Sequence, residues 1–317
     1  MMSELFWLKR GGISYGYYKL LKKLGLSANV SLLKKLNDYY IKLPSEQYPN
    51  EVNEFIKMRK LDFSLTDADT YNQKMWVIKA YDDNTLKTKL ADKYDVREWI
   101  SEQIGSKYLV PLVGGPWNSL VDVTLGNLPN SFVLKATHGS GMNEIIVDKS
   151  KVDWDKLIVK TNDWLGTVYG INGFEPQYFH MKPKLIAEEY VSNISNEYQF
   201  YCFNGEPKFI SVIKEPHGIN AKATFDLNWN ELDFITSPPK LENSSNLPKP
   251  TNFEEMKTIA RKLCKPFTQV RIDLMLADGK IKFSEMTFTS AAGNIGWTHS
   301  GANKKVGDML AVDHLYH

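Results

Sequence analysis

A strand, a tight glycine-containing loop and a second strand are predicted over residues 128–148, and no other stretch of the chain constrains the fold as strongly. Residues 131–137 and 143–147 are β-prone runs with aliphatic or aromatic centres. The loop between them, His138-Gly139-Ser140-Gly141, can bend sharply because glycine adopts backbone angles that other residues avoid. Several N–H groups then point to one place, and such a concave set of donors binds anions, most often phosphate. The alternative is an ordinary hairpin without a ligand.

Lys135 lies on the first of these strands, so a cation precedes the loop. The loop is not a Walker-type phosphate loop, because no Gly-Lys-Ser or Gly-Lys-Thr follows at the required spacing. The net charge of the 317 residues is only +2, so the overall electrostatics do not favour a nucleic acid as the partner.

The composition predicts a globular protein with a substantial core, because 43% of the residues are hydrophobic and 24% are charged. The two cysteines, Cys202 and Cys264, lie far apart in apolar surroundings and fit free thiols in a reducing compartment. No run approaches the roughly 18 apolar residues of a membrane-spanning helix, and the first residues lack the apolar core of a signal peptide. We therefore expect a cytoplasmic enzyme.

Residues 1–43 are strongly basic, with eight lysine or arginine residues against Glu4 and Asp38. Leucines at helical spacing, with lysines between them, predict amphipathic helices on either side of Gly25. A solvated helical face is one interpretation of this pattern. The other is a surface element that rests on the anionic inner face of a membrane and gives the enzyme a peripheral membrane contact.

The rest of the chain is predicted to alternate helices with short strands. Apolar periodicity, capping residues and the turn dipeptides Asn204-Gly205 and Asp278-Gly279 set the boundaries. The predicted helices cover residues 52–59, 70–80, the later part of 81–105, 152–164, 253–264 and 303–310. The predicted strands outside the central hairpin cover residues 107–113, 184–191, 196–204, 208–213, 221–227, 269–276 and 280–285.

Two acidic residues lie on the neighbouring strands of the last predicted hairpin. Asp273 precedes the turn and Glu285 follows it, so the two carboxylates are expected at opposite positions. They would repel each other unless a cation or protons intervene, and Mg²⁺ accepts one or two protein carboxylates together with nucleotide phosphates. Arg271 lies on the same strand face as Asp273, where a guanidinium suits a developing oxyanion or phosphoryl group. The alternative is a surface strand on which Arg271 and Asp273 simply pair.

A second acidic group, Glu188 and Glu189, ends a predicted strand and precedes Tyr190 and Val191. A solvated strand end is one interpretation, and an adenine slot lined by backbone groups is the other. Glu197 follows a few residues later, where a carboxylate can accept hydrogen bonds from ribose hydroxyl groups.

Taken in order, these pieces resemble the ATP-grasp superfamily, and most of all its TupA-like branch, which is associated with teichuronopeptide and surface-polysaccharide assembly. The resemblance rests on an early Asp-Lys pair, a strand lysine before a glycine loop, an acidic hinge, a strand Arg-x-Asp and a later glutamate. It extends from about Thr66 to Gly293. The matching stretches are TYNQKMWVIKAYDDNTLKTKLADKYDVREW, LPNSFVLKATHGSG, LIAEEYV, EYQFYCFNGEPKFI, RIDLMLADGKIKFSEMTF and TSAAG.

The resemblance implies an α+β ATP-grasp fold in which a nucleotide is held between a small lid subdomain and a C-terminal antiparallel-sheet subdomain. It implies ATP and Mg²⁺ as cofactors. The implied divisions are a basic helical N-terminal extension over residues 1–60, an N-terminal subdomain over 61–127, the lid over 128–191 and the metal and substrate subdomain over 192–317.

The resemblance also implies a role for each matching residue. The phosphates would be held by Lys93 and Lys135 under a lid of His138, Gly139, Ser140 and Gly141. The adenosine would contact the hinge residues Glu188, Glu189, Tyr190 and Val191 and, through its ribose, Glu197, while Lys222 would reach the γ-phosphate. Mg²⁺ would be bound by Asp273 and Glu285, with Thr287 where many members of the superfamily have asparagine, a stronger oxygen ligand. The catalytic groups would be Arg271, Lys135 and Lys93, with Arg271 next to a substrate loop containing Ser290 and Gly293.

The activity implied by the resemblance is that of an ATP-dependent carboxylate–amine ligase. A carboxylate attacks ATP to give an acyl phosphate, whose carbonyl is then attacked by an amine. Positioning and charge neutralisation supply the catalysis, so no side-chain nucleophile is needed. The branch implies an amino acid and a uronic-acid carboxylate of a surface glycan as substrates. Three rivals stay open: a kinase acting on a sugar or small molecule, a glycosyltransferase of the same pathway, and a non-enzymatic binding module.

Overall fold

A computed structural model describes Phe6, Arg10 and residues 38–167, 169–214, 221–234, 241–242, 244 and 247–316. Most of the basic segment, and with it the predicted membrane contact, therefore lies outside the described residues. Arg10 is an exception: its guanidinium is buried and pairs with Glu51, with Nη2 2.7 Å from Oε2, so this cation is engaged within the protein. None of the helices in the described ranges combines the length and the apolar character needed to span a bilayer.

The described residues form helices and strands close to those predicted. The helices are α1 Tyr48–Met58, α2 Tyr71–Tyr81, α3 Thr85–Ala91, α4 Val96–Ile104, α5 Trp154–Gly166, α6 Phe253–Cys264 and α7 Ser300–Gly307. The strands are β1 Leu112–Trp117, β2 Phe132–Ala136, β3 Asn143–Ile146, β4 Leu185–Glu189, β5 Ile194–Phe203, β6 Glu206–Lys214, β7 Ala221–Asp226, β8 Gln269–Ala277 and β9 Lys280–Thr287.

The first sheet is antiparallel, with the strand order β1-β4-β2-β3, and contains the central hairpin. The strand predicted over 107–113 was placed wrongly, because Ser106–Tyr108 is a short 3₁₀ turn and β1 runs on through Gly114 and Gly115. Gly115 does not end the strand. It lets β1 lie against β4, since a Cβ atom at this position would be 2.8 Å from the Leu185 carbonyl oxygen.

The second sheet is also antiparallel, with the order β7-β6-β5-β8-β9. Apolar and polar side chains alternate along its strands, so one face is apolar and the other polar, as expected of a sheet with one buried side. One face packs against α6 through apolar side chains such as Phe200, Ile272 and Leu274. The other carries polar side chains, and Gln199 lies opposite Asp273, which in turn lies opposite Glu285. The predicted facing of Asp273 and Glu285 across the last hairpin is thus confirmed.

A third group of elements packs through an aromatic core that joins α1 and α2 to the segment 169–179. Phe55, Trp76, Phe174 and Phe179 are all buried in this core, with the rings of Phe55 and Phe174 5.5 Å apart. This core positions the segment 169–179 beside the second sheet. The subdomain boundaries at residues 127 and 191 stay predictions, and we note that β1, which precedes residue 127, is hydrogen-bonded to β4.

Candidate active site

A cavity of about 210 Å³ is lined by residues of both sheets. Its apolar walls come from β2, β3 and β8, through Val133, Ile145 and Met275. Its rim contains the predicted hinge and ribose residues, Glu188, Glu189, Tyr190, Val191 and Glu197. Apolar walls with backbone and carboxylate groups at the edge of the cavity suit a purine nucleoside.

Glu188 does not present a free carboxylate to this cavity, because it bridges two cations. Its Oε2 is 2.6 Å from Nζ of Lys135, and its Oε1 is 2.8 Å from Nη1 of Arg97. Arg97 is fixed in turn by the Val110 carbonyl oxygen, 2.6 Å from Nη2. The bridge holds Lys135 in place, so the position of this cation is determined by residues from three separate parts of the chain.

Lys93 is attached to the glycine loop. Its backbone N–H donates to the Thr137 carbonyl at 3.1 Å, and its Nζ donates to the Gly139 carbonyl. Burial lowers the pKa of Lys93 from its ordinary value, opposed by the nearby carboxylate of Glu285. Asp92 orients the turn before α4. Its carboxylate accepts hydrogen bonds from the backbone N–H groups of Tyr94 and Asp95, at 2.8 and 3.0 Å.

Both glycines of the loop have a positive φ, which fits the sharp bend expected of them. Gly139 has φ 90° and Gly141 has φ 74°. The ring of Tyr169 covers Gly139, where a Cβ atom would lie 2.7 Å from the ring. His138 points the other way: it is buried, and its Nε2 lies 3.1 Å from the Trp164 carbonyl oxygen at the end of α5. Its side chain therefore packs the interior of the lid, while Gly139 and Ser140 line a second cavity.

The acidic strand pair is bridged by Arg271. Its Nε donates to Asp273 Oδ1 at 2.7 Å, and its Nη2 lies 3.2 Å from Glu285 Oε1 and 3.1 Å from Thr287 Oγ1. Burial raises the pKa of Asp273 to about 8, although Arg271 opposes the shift. The pKa of Glu285 is held below its ordinary value by Lys93 and Arg271 against the effect of burial.

These residues fit a magnesium ion by the chemistry of their donors. Two carboxylates and a hydroxyl group are hard oxygen ligands, which Mg²⁺ takes together with phosphate oxygens. The raised pKa of Asp273 indicates that further positive charge is needed here to keep both carboxylates ionised. Within the described ranges, no group of three or more His, Cys, Asp or Glu side chains is arranged as a metal site, so phosphate and water would have to complete the coordination.

The second cavity, of about 310 Å³, brings the loop and the acidic strands together. Its lining residues are Ala91, Lys93, Gly139, Ser140, Tyr169, Glu175, Tyr178, Arg271, Glu285, Met286, Thr287, Thr289, Ala291 and Ala292. Lys93 and Lys135 also line one smaller recess together with Glu188. The lysines therefore lie along a path from the first cavity to the second.

Three predicted residues, Ser290, Glu197 and Lys222, lie at the border of this arrangement, and Gly293 lies outside it. Ser290 Oγ is 3.4 Å from Nη1 of Arg271. Glu197 accepts a hydrogen bond from Gln199 at 2.8 Å, and burial raises its pKa. Gly293 packs against α2. Lys222 lies on β7 in the same row of the sheet as Glu197, and the charges of Glu197, Arg271 and Asp273 all affect its pKa, which burial lowers.

Sequence reasoning missed several residues that shape the second cavity, among them Tyr169, Glu175 and Tyr178. They belong to the segment YGINGFEPQYF, and the one signal available was a single acid in an aromatic run. It also missed Arg97, which holds Glu188 from a position four residues after Lys93.

Two sheets that face each other across a cleft, with cations on a glycine hairpin and acids on the opposite sheet, define a protein of the ATP-grasp class. The model of the family described as TupA-like ATP-grasp matches residues 73–311, and the chain belongs to this family. The resemblance noted from the sequence is thereby confirmed. No protein with a curated description matches the chain at a significant level.

Several solved structures are similar to part of the chain at low sequence identity. The L-amino acid ligase of Bacillus licheniformis is 16% identical, with a TM-score of 0.42, over 77% of this chain and 55% of that one. The D-alanine–D-alanine ligase of Helicobacter pylori is 12% identical, with a TM-score of 0.39, over 78% and 64%. The biotin carboxylase domain of Hydrogenobacter thermophilus 2-oxoglutarate carboxylase is 13% identical, with a TM-score of 0.40, over 88% and 62%. The chain thus matches only 55% to 64% of the length of these proteins.

Proposed function

We propose that the chain is an ATP-dependent ligase that joins a carboxylate to an amine through an acyl phosphate. The observation that carries this proposal is the second cavity, where Lys93 and the glycine loop face Arg271, Glu285 and Thr287. Cations and loop amides on one side and acidic oxygen donors on the other suit a triphosphate with its magnesium ion.

In this proposal the nucleotide extends through both cavities. The adenine occupies the apolar slot against the backbone of residues 188–191, and Glu197 accepts hydrogen bonds from the ribose. Lys135 and Lys93 bind the phosphates, and Gly139 and Ser140 close over them. Closure would exclude water, which is required because an acyl phosphate hydrolyses.

The residues of the acidic strands then act on the transferred group. Asp273, Glu285 and Thr287 would hold Mg²⁺, which when bound supplies charge neutralisation at the phosphate oxygens. The substrate carboxylate oxygen bonds to the γ-phosphorus and ADP leaves. The neutral amine nitrogen then bonds to the acyl carbon, and inorganic phosphate leaves with one proton of the amine. Arg271 would donate hydrogen bonds to the oxyanion that forms between these events.

For the substrates, we propose an amino acid as the amine and a uronic-acid carboxylate of a surface glycan as the acceptor, in the cytoplasm. Membership of the TupA-like family supports this choice, since the branch is associated with surface-polysaccharide assembly.

One assay tests the proposal against its rivals. The full chain is incubated with ATP, Mg²⁺, mixed amino acids and uronic acids, and the products are measured by ADP release and mass spectrometry. ADP together with an amide is the expected result, and Lys135→Ala is the matched control that should release none. ADP with a phosphorylated sugar would indicate a kinase, and turnover that requires a nucleotide sugar in place of ATP would indicate a glycosyltransferase. No turnover of any kind would defeat the enzyme proposal.

A further inference from the structure

Glu175 lies in the wall of the second cavity and is 7% exposed. One of its carboxylate oxygens, Oε1, accepts a hydrogen bond from Thr289 Oγ1 at 2.6 Å. Thr289 Oγ1 in turn accepts one from Gln177 Nε2 at 2.7 Å. The other oxygen, Oε2, receives no hydrogen bond from any described residue. A carboxylate this buried is costly unless a donor or a cation satisfies it.

The cations nearest to Glu175 are directed elsewhere. Lys79 Nζ donates to the carbonyl oxygens of Gly173 at 2.6 Å and Ala292 at 2.5 Å. Arg59 donates to the Asn172 carbonyl. Neither cation forms an ion pair with Glu175, although both contribute to its electrostatic surroundings. Within the described part of the chain, no cation therefore forms an ion pair with the Glu175 carboxylate, and burial raises its pKa.

Two aromatic rings stand beside this carboxylate in the same cavity. Tyr169 and Tyr178 meet edge to face, with ring centroids 4.8 Å apart and planes at 82°. Aromatic faces attract ammonium groups, and a carboxylate flanked by aromatic rings is a recurrent way to bind one. Tyr169 also covers Gly139, so this corner of the cavity adjoins the glycine loop.

The cations of the second cavity and the carboxylate of Glu175 thus lie in different parts of it. Lys93 and Arg271 provide cations where the phosphates are proposed to bind, whereas Glu175 provides a carboxylate whose second oxygen has no hydrogen-bond partner among the described residues. We propose that Glu175, with Tyr169 and Tyr178, binds the ammonium group of the amine substrate. This inference rests on the proposed ligase function and assigns the amine to one corner of the site. An amino acid and an amino sugar both carry such a group.

The test separates amine recognition from the rest of the reaction. Hydroxylamine is uncharged at neutral pH and converts acyl phosphates to hydroxamates, so it replaces the amine without needing an ammonium site. With ATP, Mg²⁺ and a uronic acid, Glu175→Gln should form hydroxamate at nearly the wild-type rate. The KM for the amine should rise at least about tenfold, because a charge-assisted hydrogen bond is lost. Glycine, L-alanine and L-lysine in one arm and glucosamine in another identify the source of the ammonium group.

Two further variants complete the design. Glu175→Asp keeps the charge with a shorter reach and should restore part of the amine affinity. Glu102→Gln makes the same change on the exposed surface of α4 and should leave every rate unchanged. An unchanged amine KM in Glu175→Gln would overturn the inference, and so would an equal loss of amide and hydroxamate formation. If wild-type protein forms no hydroxamate, the ligase proposal itself has failed, and this inference falls with it.

Discussion

Alanine substitutions at the two glycines of the loop form a matched pair, and the structure predicts a different loss of stability for each. Gly139 and Gly141 both have left-handed backbone, at φ 90° and 74°. Alanine at either position should cost about 1–2 kcal/mol of stability from backbone strain. At Gly139 the added Cβ would also lie 2.7 Å from the Tyr169 ring, whereas at Gly141 it meets nothing within 4 Å. Overpacking of this kind adds about 1–3 kcal/mol.

We therefore expect Gly139→Ala to lower the free energy of unfolding by about 2–5 kcal/mol and Gly141→Ala by about 1–2 kcal/mol. Urea denaturation of the two variants and of wild type measures both values. Repeating the comparison in a Tyr169→Ala background should remove the excess at Gly139, because the ring is then absent. Equal losses in the two glycine variants, or an excess that persists without the ring, would refute the packing of Tyr169 on the loop.

Three other predictions concern charge. Lys135→Ala and Asp273→Asn should each abolish ATP turnover while circular dichroism stays that of a folded protein; near-normal turnover in both would contradict the site. Burial lowers the pKa of Lys79 to about 7 from 10.5, so folding releases a proton between these values. Stability should then rise with pH from 7 to 10, by up to about 1.4 kcal/mol per unit, and Lys79→Met should flatten the rise in pH-dependent denaturation. Replacing Lys19, Lys22, Lys23, Lys34 and Lys35 with glutamine should reduce sedimentation with anionic vesicles, and unchanged sedimentation would remove the membrane contact. Lysine substitution is preferable to deletion because Arg10 pairs with buried Glu51.

The features predicted well from the sequence are those fixed by neighbouring residues. Asn204-Gly205 and Asp278-Gly279 both turn with positive φ, as such dipeptides do, and the hairpins on either side follow. Counting outward from the second of these turns places Glu285 within one position of Asp273, and an irregularity at Ser284 brings the two residues directly opposite each other. The early lysine, the glycine loop and the acidic strands were recognisable because their order along the chain matches a known family.

The features that were missed depend on residues far apart in the chain. Arg97 reaches Glu188 across 91 residues, and Lys79 reaches Gly173 across 94. The strand β1 was misplaced for a similar reason, since Gly115 is explained by its close approach to Leu185 of β4, a contact that the local sequence does not show. Periodicity and turn dipeptides contain no information on such contacts, because these contacts depend on how helices and strands from distant parts of the chain pack together.

The bridge that Arg271 makes between Asp273 and Glu285 has a consequence for how the protein reaches its folded form. Since the guanidinium already acts as a built-in counterion between the two carboxylates, folding should not depend on a supply of divalent metal. Chelators should then leave a folded protein. If Mg²⁺ binds these carboxylates as proposed, it would take the place of the guanidinium, and Arg271 would then be free to contact the substrate.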